Sequence, residues 1–228
     1  MSTPVPAPPT PHRRERRKDA RPGELMDAAL TLFVDKGFAA TRVEEVASLA
    51  GVSKGTLFLY FPSKVELFKA VVRENIAGRF GEWNSEFDSF EGTTVELVRY
   101  AMHQWWERIG ATRASGITKL VMSEAGQFPE IAEFYTHEVI EPGNALIRRI
   151  LQRGIDRGEF RSLDLDYAIF SVIAPLIFVV LWKHSLAPCC ALSSSGRRLD
   201  PKTFIDQQAE MLLQGLMRPA PSHPTAGR

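Results

Sequence analysis

At 228 residues the chain has room for one large domain, or a small and a medium one, whose core needs neither metal nor disulfide to be stable. Its two cysteines are the neighbours Cys189 and Cys190, which excludes a disulfide-built scaffold because adjacent cysteines strain to pair; free thiols in a reducing compartment are expected. The formal charge of +1 hides an asymmetry: residues 1–80 carry 13 Lys/Arg against 9 Asp/Glu, and residues 81–228 carry 15 against 18.

The opening MSTPVPAPPTP is Pro-rich and lacks the apolar run of an export signal. Residues 1–21 are expected to be a disordered arm whose basic part, HRRERRKDAR, carries Arg13, Arg14, Arg16 and Arg17. It is either a solvated tail or a strap along phosphates and into a minor groove, where Arg is favoured. Pro22 suits a first helical turn, and Leu25, Ala28, Ala29, Leu32 and Phe33 follow at helical spacing until Gly37 stops the helix.

From Thr41 to Lys64 the punctuation is dense. Thr41 with Glu44, and Ser63 with Glu66, are capping-box pairs that predict two helix starts. Between them Val43, Val46, Ala47 and Ala50 form one apolar stripe, Gly51 permits a sharp turn, and Ser53 offers the next N-cap. A helix from Ser53 to Tyr60 is too short to stand alone and is expected to be held by Val52 and Leu57. Its outward set is Ser53, Lys54, Gly55, Thr56, Phe58 and Tyr60, a mixture of small donors, one cation and aromatic rings suited to a DNA major groove. Residues 22–66 therefore read as a three-helix, helix-turn-helix DNA-binding domain.

A long helix is predicted from Ser63 toward Phe80, followed by an irregular stretch over 81–93. Thr93 with Glu96 opens a helix to about Arg113, and further helices are predicted over 116–125, over 129–153 with a bend at Pro142, over 164–184 around Pro175, and from Pro201 to about Met217. No useful strand pattern appears and no period of 20 to 50 residues repeats. The expected fold is all-α, with residues 67–218 forming a larger helical domain and 219–228 a disordered tail. The uncharged run Tyr167–Trp182 falls short of the roughly 20 residues that span a bilayer and is expected as a buried helix.

The second half is rich in aromatic and Met residues. Most belong to a core, but several flank Pro142, Pro175 and the irregular stretch, where packing is broken and a cavity can persist. The residues singled out for such a pocket are Trp83, Phe87, Met102, His103, Trp106, Met122, Tyr135, His137, Phe170 and Phe178. Two helices carry more apolar surface than one domain of this size can bury. Ile169, Ile173, Ile177 and Leu181 on the first, with Phe204, Met211 and Leu212 on the second, are the expected homodimer interface. Two subunits then present two readers about one DNA turn apart or somewhat more, which implies a pseudo-palindromic operator.

The run FVDKGFAATRVEEVASLAGVSKGTLFLYFPSKVELF closely resembles the DNA-binding domain of the TetR family of ligand-responsive transcriptional regulators. The resemblance is dense over about 45 residues and elsewhere extends only to length and helical layout. It implies that Thr41 and Arg42 brace against the DNA backbone, that Lys54, Gly55 and Thr56 face bases, that Phe58 and Tyr60 make aromatic contacts, and that Lys64 meets a phosphate. It also implies a small-molecule pocket in the helical half, a four-helix dimer contact, and a cytoplasmic repressor without cofactor or metal. Many members have Tyr where this chain has Phe58, so a hydroxyl able to bind phosphate is absent. Two other readings stay open at this level: a metal-dependent helical enzyme using the His137/Glu141 pair, and a helical interaction module without DNA binding. No G-x-S-x-G, P-loop or G-x-G-x-x-G motif is present.

Overall fold

The computed structural model describes residues 12–189, 196 and 198–217, with side chains from Arg21 onward. Of the expected disordered arm 1–21, residues 1–11 lie outside the described residues, as do the expected tail 219–228 and Cys190, whereas residues 12–21 are helical. The chain divides into two compact units, Met1–Val71 and Val72–Arg228. The described residues form eleven α-helices with short 3₁₀ and π-helical turns, and among them there is no strand beyond one isolated bridge between Phe160 and Met217.

Unit 1 holds α1 (His12–Lys36), α2 (Val43–Leu49), α3 (Lys54–Tyr60) and the start of α4 (Lys64–Asn75). Helix α1 begins ten residues before the expected start at Pro22, because HRRERRKDAR consists largely of good helix formers and Pro22 is accommodated inside the helix. The core is a triangle of buried rings, Phe33, Phe38 and Phe68, with centroids 5.5 to 5.6 Å apart. Val46 of α2 and Leu57 of α3 are also fully buried. Gly37 and Gly51, at φ +85° and +67°, take the left-handed conformation that ends α1 and turns α2 toward α3. The unit boundary falls inside α4, five residues beyond the expected one at residue 66, because Leu67, Phe68 and Val71 belong to the buried set.

In unit 2, α4 ends at Asn75 rather than continuing to Phe80; a 3₁₀ turn over Ala77–Arg79 leads into α5 (Phe80–Asp88). The stretch expected to be irregular is thus largely helical. Asn84, Ser85 and Ser89 each return a side-chain hydrogen bond to the carbonyl four residues earlier, which keeps these poor helix formers in the helix. Helix α6 (Thr94–Trp105) starts at the expected Thr93 capping box and ends in a π-helical turn, Trp106–Gly110. Helix α7 (Ser115–Glu124) follows, and α8 (Pro129–Tyr135) runs through a π-helical turn, Thr136–Ile140, into α9 (Glu141–Asp156). Pro142 sits directly after that turn, where the register change accommodates its missing N–H. Helix α10 (Leu165–Leu181) with its terminal π turn, and α11 (Pro201–Leu216), complete the unit.

Helix α10 packs on α7, α9 and α11. Its helical run, Leu165–Leu186, is 22 residues, long and apolar enough to cross a membrane by length and composition alone. The expectation of a buried helix is corrected: Ile169, Val172, Leu176 and Val179 are buried, but Tyr167 and Phe170 on the other side are 76% and 55% exposed. At the helix end the Lys183 ammonium donates to the carbonyls of Gly110, Ala111 and Thr112 at 2.7 to 2.9 Å, satisfying the orphan acceptors of α6. Beside it, His184 Nε2 lies 2.8 Å from the buried Ser115 Oγ. Burial, and then the charges of Lys183, Lys119 and Arg113, push the His184 imidazole down to about 4.

Two outcomes follow for stability. A methyl group at Gly154 overlaps the buried Phe160 ring, so Gly154→Ala lowers unfolding free energy by about 1–3 kcal/mol in urea denaturation. Unfolded His titrates near 6.5, so between there and about 4 the unfolded chain binds a proton that the native His184 refuses, and stability falls as pH drops through that window. His184→Gln, compared with the parent by thermal unfolding across that range, shows the shallower pH dependence.

Candidate DNA interface and ligand cavity

The helix-turn-helix places its expected residues unevenly. Ser53 is the N-cap of α3, its Oγ accepting from the Thr56 N–H at 3.1 Å, and the Thr56 hydroxyl lies 2.9 Å from the same oxygen. Lys54, Gly55 and Phe58 are exposed, and Thr56 and Tyr60 are half-buried. Lys54 is paired with Glu44 of α2 at 2.6 Å, and its ammonium stands 5.7 Å from the Phe58 ring centroid. Hydrogen bonding from Lys54 is the main reason that the Glu44 carboxyl lies below its ordinary pKa. Sequence reasoning passed over Glu44 as a partner of the reader. It also missed Leu59, 84% exposed and the most exposed large apolar side chain of α3; its position off the Val52–Leu57 packing side was the available signal.

Two of the expected DNA contacts are otherwise engaged. Thr41 is only 2% exposed, and its hydroxyl donates to the carbonyls of Gly37 and Leu32 at 2.7 and 3.1 Å. The N-cap of α2 is therefore Arg42, exposed, whose N–H donates to Glu45 at 3.4 Å; Thr41 and Glu44 do not form the expected box. Lys64 directs its ammonium to the carbonyls of Phe38, Ala39 and Thr41 at 2.8, 3.3 and 3.1 Å and lies over the Phe38 ring. Three ammonium protons meet three carbonyls of the α1–α2 corner, so in this structure Lys64 closes that corner instead of reaching outward. Arg13, Arg14, Arg16 and Arg17 fall within the backbone of α1, and their side chains lie outside the described residues.

Unit 2 contains a cavity of about 410 Å³, within the usual range of small-molecule sites, ringed by α5 to α10. Trp83, Phe87, Met102, Met122, Tyr135 and Phe170 line it as expected. Four other expected residues do not line it. His103 points to Asp206, 2.7 Å away; His137 is exposed and bonded to Glu141 at 3.0 Å; Trp106 is buried under Lys183; and Phe178 packs on Trp182 and Phe204. Helical phase explains the exchange, because Trp105, Val139 and Ile177, one or two positions away, face the cavity instead. At its rim Met122, Ile140 and Phe170 are both lining and solvent-exposed. The His137/Glu141 pair is a solvated helix-surface contact, and among the described residues no group of three or more His, Cys, Asp or Glu is placed to hold a metal.

The outward side of α10 carries Tyr167, Phe170, Ser171, Ala174 and Phe178 as one exposed stripe. Of the expected interface residues, Ile169 is instead buried within the unit by helical phase, Ile173 and Ile177 wall the cavity, and Leu181 is half-buried. On α11 Met211 is exposed, while Phe204 and Leu212 are half-buried.

A capped reader on a three-helix scaffold, with a helical domain behind it in the chain, defines a helix-turn-helix transcriptional regulator. Residues 25–71 match the family of bacterial regulatory proteins, tetR family, and residues 91–188 match the tetracyclin repressor-like C-terminal domain. The HTH-type transcriptional repressor KstR2 of Mycolicibacterium smegmatis is 30% identical over 165 residues, covering 70% of this chain and 76% of that one. KstR2 of Rhodococcus jostii is 30% identical over 208 residues, covering 89% and 94%. The structure of FadR from Bacillus subtilis in complex with stearoyl-CoA shares the fold, with a TM-score of 0.67 at 18% identity over 85% of this chain and 98% of that one. The chain belongs to the TetR family; it is a DNA-binding regulator of transcription and not an enzyme.

The structural role of Thr41 is open to test. Thr41→Val keeps the shape but removes the buried hydroxyl's bonds to the part-buried Gly37 and Leu32 carbonyls, and it lowers stability by about 0.5–1.5 kcal/mol in chemical denaturation. DNA affinity of the folded fraction stays within twofold; a large loss there at unchanged stability restores Thr41 as a direct contact.

Proposed function

We propose that the protein is a homodimeric repressor that holds a pseudo-palindromic operator through α3 of each subunit and releases it when a small apolar or amphipathic molecule fills the cavity of unit 2. The observation that carries this reading is the pairing, in one chain, of an exposed polar-aromatic reader with an apolar cavity of about 410 Å³. The repressors named among its relatives, and the acyl-CoA held by the FadR structure, support it.

On DNA, Arg42, Ser53 and the N-terminal N–H groups of α3 meet phosphate, while Lys54, Gly55 and Thr56 face base edges. Phe58, Leu59 and Tyr60 supply apolar and aromatic contact, and Arg13, Arg14, Arg16 and Arg17 follow the backbone or the minor groove. For Lys54 to reach a base it leaves Glu44, so the ion pair holds the cation in reserve at the surface. The dimer forms by burying the Tyr167–Phe178 stripe of α10 and the exposed side of α11 against a second copy, the ring contact between Phe178 and Phe204 joining the two faces at 5.5 Å. The protein acts in the cytoplasm, without a cofactor and without entering a membrane. Ligand shifts the equilibrium only by its difference in affinity between the DNA-competent and released conformations.

Lys54→Ala reduces discrimination between an operator selected from a random pool and its scrambled counterpart by about 1–3 kcal/mol in anisotropy titrations. Glu44→Gln, which frees Lys54 and removes a negative charge beside phosphates, raises affinity for both DNAs. Unchanged discrimination by the Lys54 variant would sink its role at the bases.

A further inference from the structure

Resting on the reading of the cavity as a ligand site, we infer that it takes an uncharged molecule, hydrocarbon over most of its surface, whose carbonyl-type oxygen accepts a hydrogen bond from the Thr118–Tyr135 hydroxyl pair.

Among the described residues the wall carries no charged side chain: besides apolar residues, only Thr118, Tyr135, Asn144 and the indoles of Trp83 and Trp105 have polar side-chain atoms. A carboxylate, phosphate or ammonium taken into that space loses its hydration and finds no counter-charge, a cost that burial of hydrocarbon does not offset. A neutral oxygen has a partner. Thr118 Oγ1 and Tyr135 Oη lie 3.0 Å apart, and both residues are more than nine-tenths buried. Two hydroxyls hold two protons, and their mutual hydrogen bond uses one. The second proton has no acceptor among the described residues, although both residues line the cavity. Burial pushes the Tyr135 phenol up to about 12, so it remains a donor at any working pH.

The mutual bond accounts for a link between α7 and α8; it leaves the second proton unused. A buried donor without an acceptor costs free energy, which a ligand oxygen recovers. The Trp83 indole N–H is likewise buried without an acceptor, with the edge-on Phe80 ring 5.5 Å away, but it is closed off from the open space and leaves the Thr118–Tyr135 pair as the anchor.

The test uses the whole chain and two matched pairs of probes, methyl decanoate with decanoate and 2-adamantanone with adamantane-1-carboxylate, titrated at neutral pH while following tryptophan fluorescence. In at least one pair the neutral member binds tenfold or more tightly than its anion. The double variant Thr118→Val/Tyr135→Phe removes both hydroxyls and strands neither, so its melting temperature is unchanged or higher, while affinity for the neutral probe falls about three- to tenfold. Anions binding as tightly as their neutral partners overturn the uncharged class and leave the ligand site standing. Unchanged neutral affinity in the double variant, with a lowered melting temperature, makes the pair a structural link and overturns its role as anchor. Binding of none of the four probes overturns this inference together with the ligand-site reading.

Discussion

Seven residues of helix do not hold their own shape in water, and α3 is that short, so the reader depends on a corner of the chain that never faces it outward. Between α1 and α2 the backbone turns over a few residues above the ring cluster of Phe33, Phe38 and Phe68, and the carbonyls of that turn take side-chain donors. Thr41 and Lys64 supply those donors from two elements, the first reaching the end of α1 and the second arriving from α4. Helix α2 is thereby fixed against α1, and α3 against α2 through Leu57. On the outward side of α3, Ser53 caps the helix with Thr56 against it, and Lys54 is held by Glu44 of α2, while Phe58 and Leu59 are exposed.

Helix α10 divides its residues between packing and exposure. It is apolar on every side because its two sides meet different neighbours. One side closes the core with Ile169, Val172, Leu176 and Val179, and its flank, Ile173 and Ile177, walls the cavity. The remaining stripe, Tyr167 to Phe178, sets apolar side chains at the surface. The same composition satisfies the length and polarity of a membrane span, yet its packing against α7, α9 and α11 and the lysine that clips its end to α6 are those of a helix in a bundle.

The helix-turn-helix was legible because its signals are local: caps, a glycine turn and a short stripe lie within a few residues of what they determine. Its failures were also local, since Thr41 and Arg42 compete for one cap and only the carbonyls of Leu32 and Gly37, which take up the Thr41 hydroxyl, decide between them. Helix α5 was hidden by Gly81, Asn84, Ser85 and Ser89, residues that favour loops until their side chains bond back to the helix. The cavity was legible as a composition but not as a list. His103 and His137 looked like polar anchors by their company, whereas helical phase turns both to solvent and carboxylate partners. The hydroxyl pair of Thr118 and Tyr135 joins residues 17 apart, a distance that periodicity within one helix does not reach.

That α10 walls the cavity and carries the outward stripe has a thermodynamic consequence for the proposed dimer. Phe170 belongs to both, lining the cavity while exposed on the stripe, and Ile173 and Ile177 lie within one helical turn of Ala174 and Phe178. A ligand that moves these side chains changes the surface offered to a second copy, and burial of that surface changes the cavity wall in return. Reciprocity requires the two effects to be equal: the factor by which ligand alters dimer affinity is the factor by which dimerisation alters ligand affinity. A coupling of about 1.4 kcal/mol, less than the burial of one large side chain, makes that factor ten. A ligand that fills the cavity without displacing Phe170 or its neighbours, however tightly it binds, leaves that interface as it was.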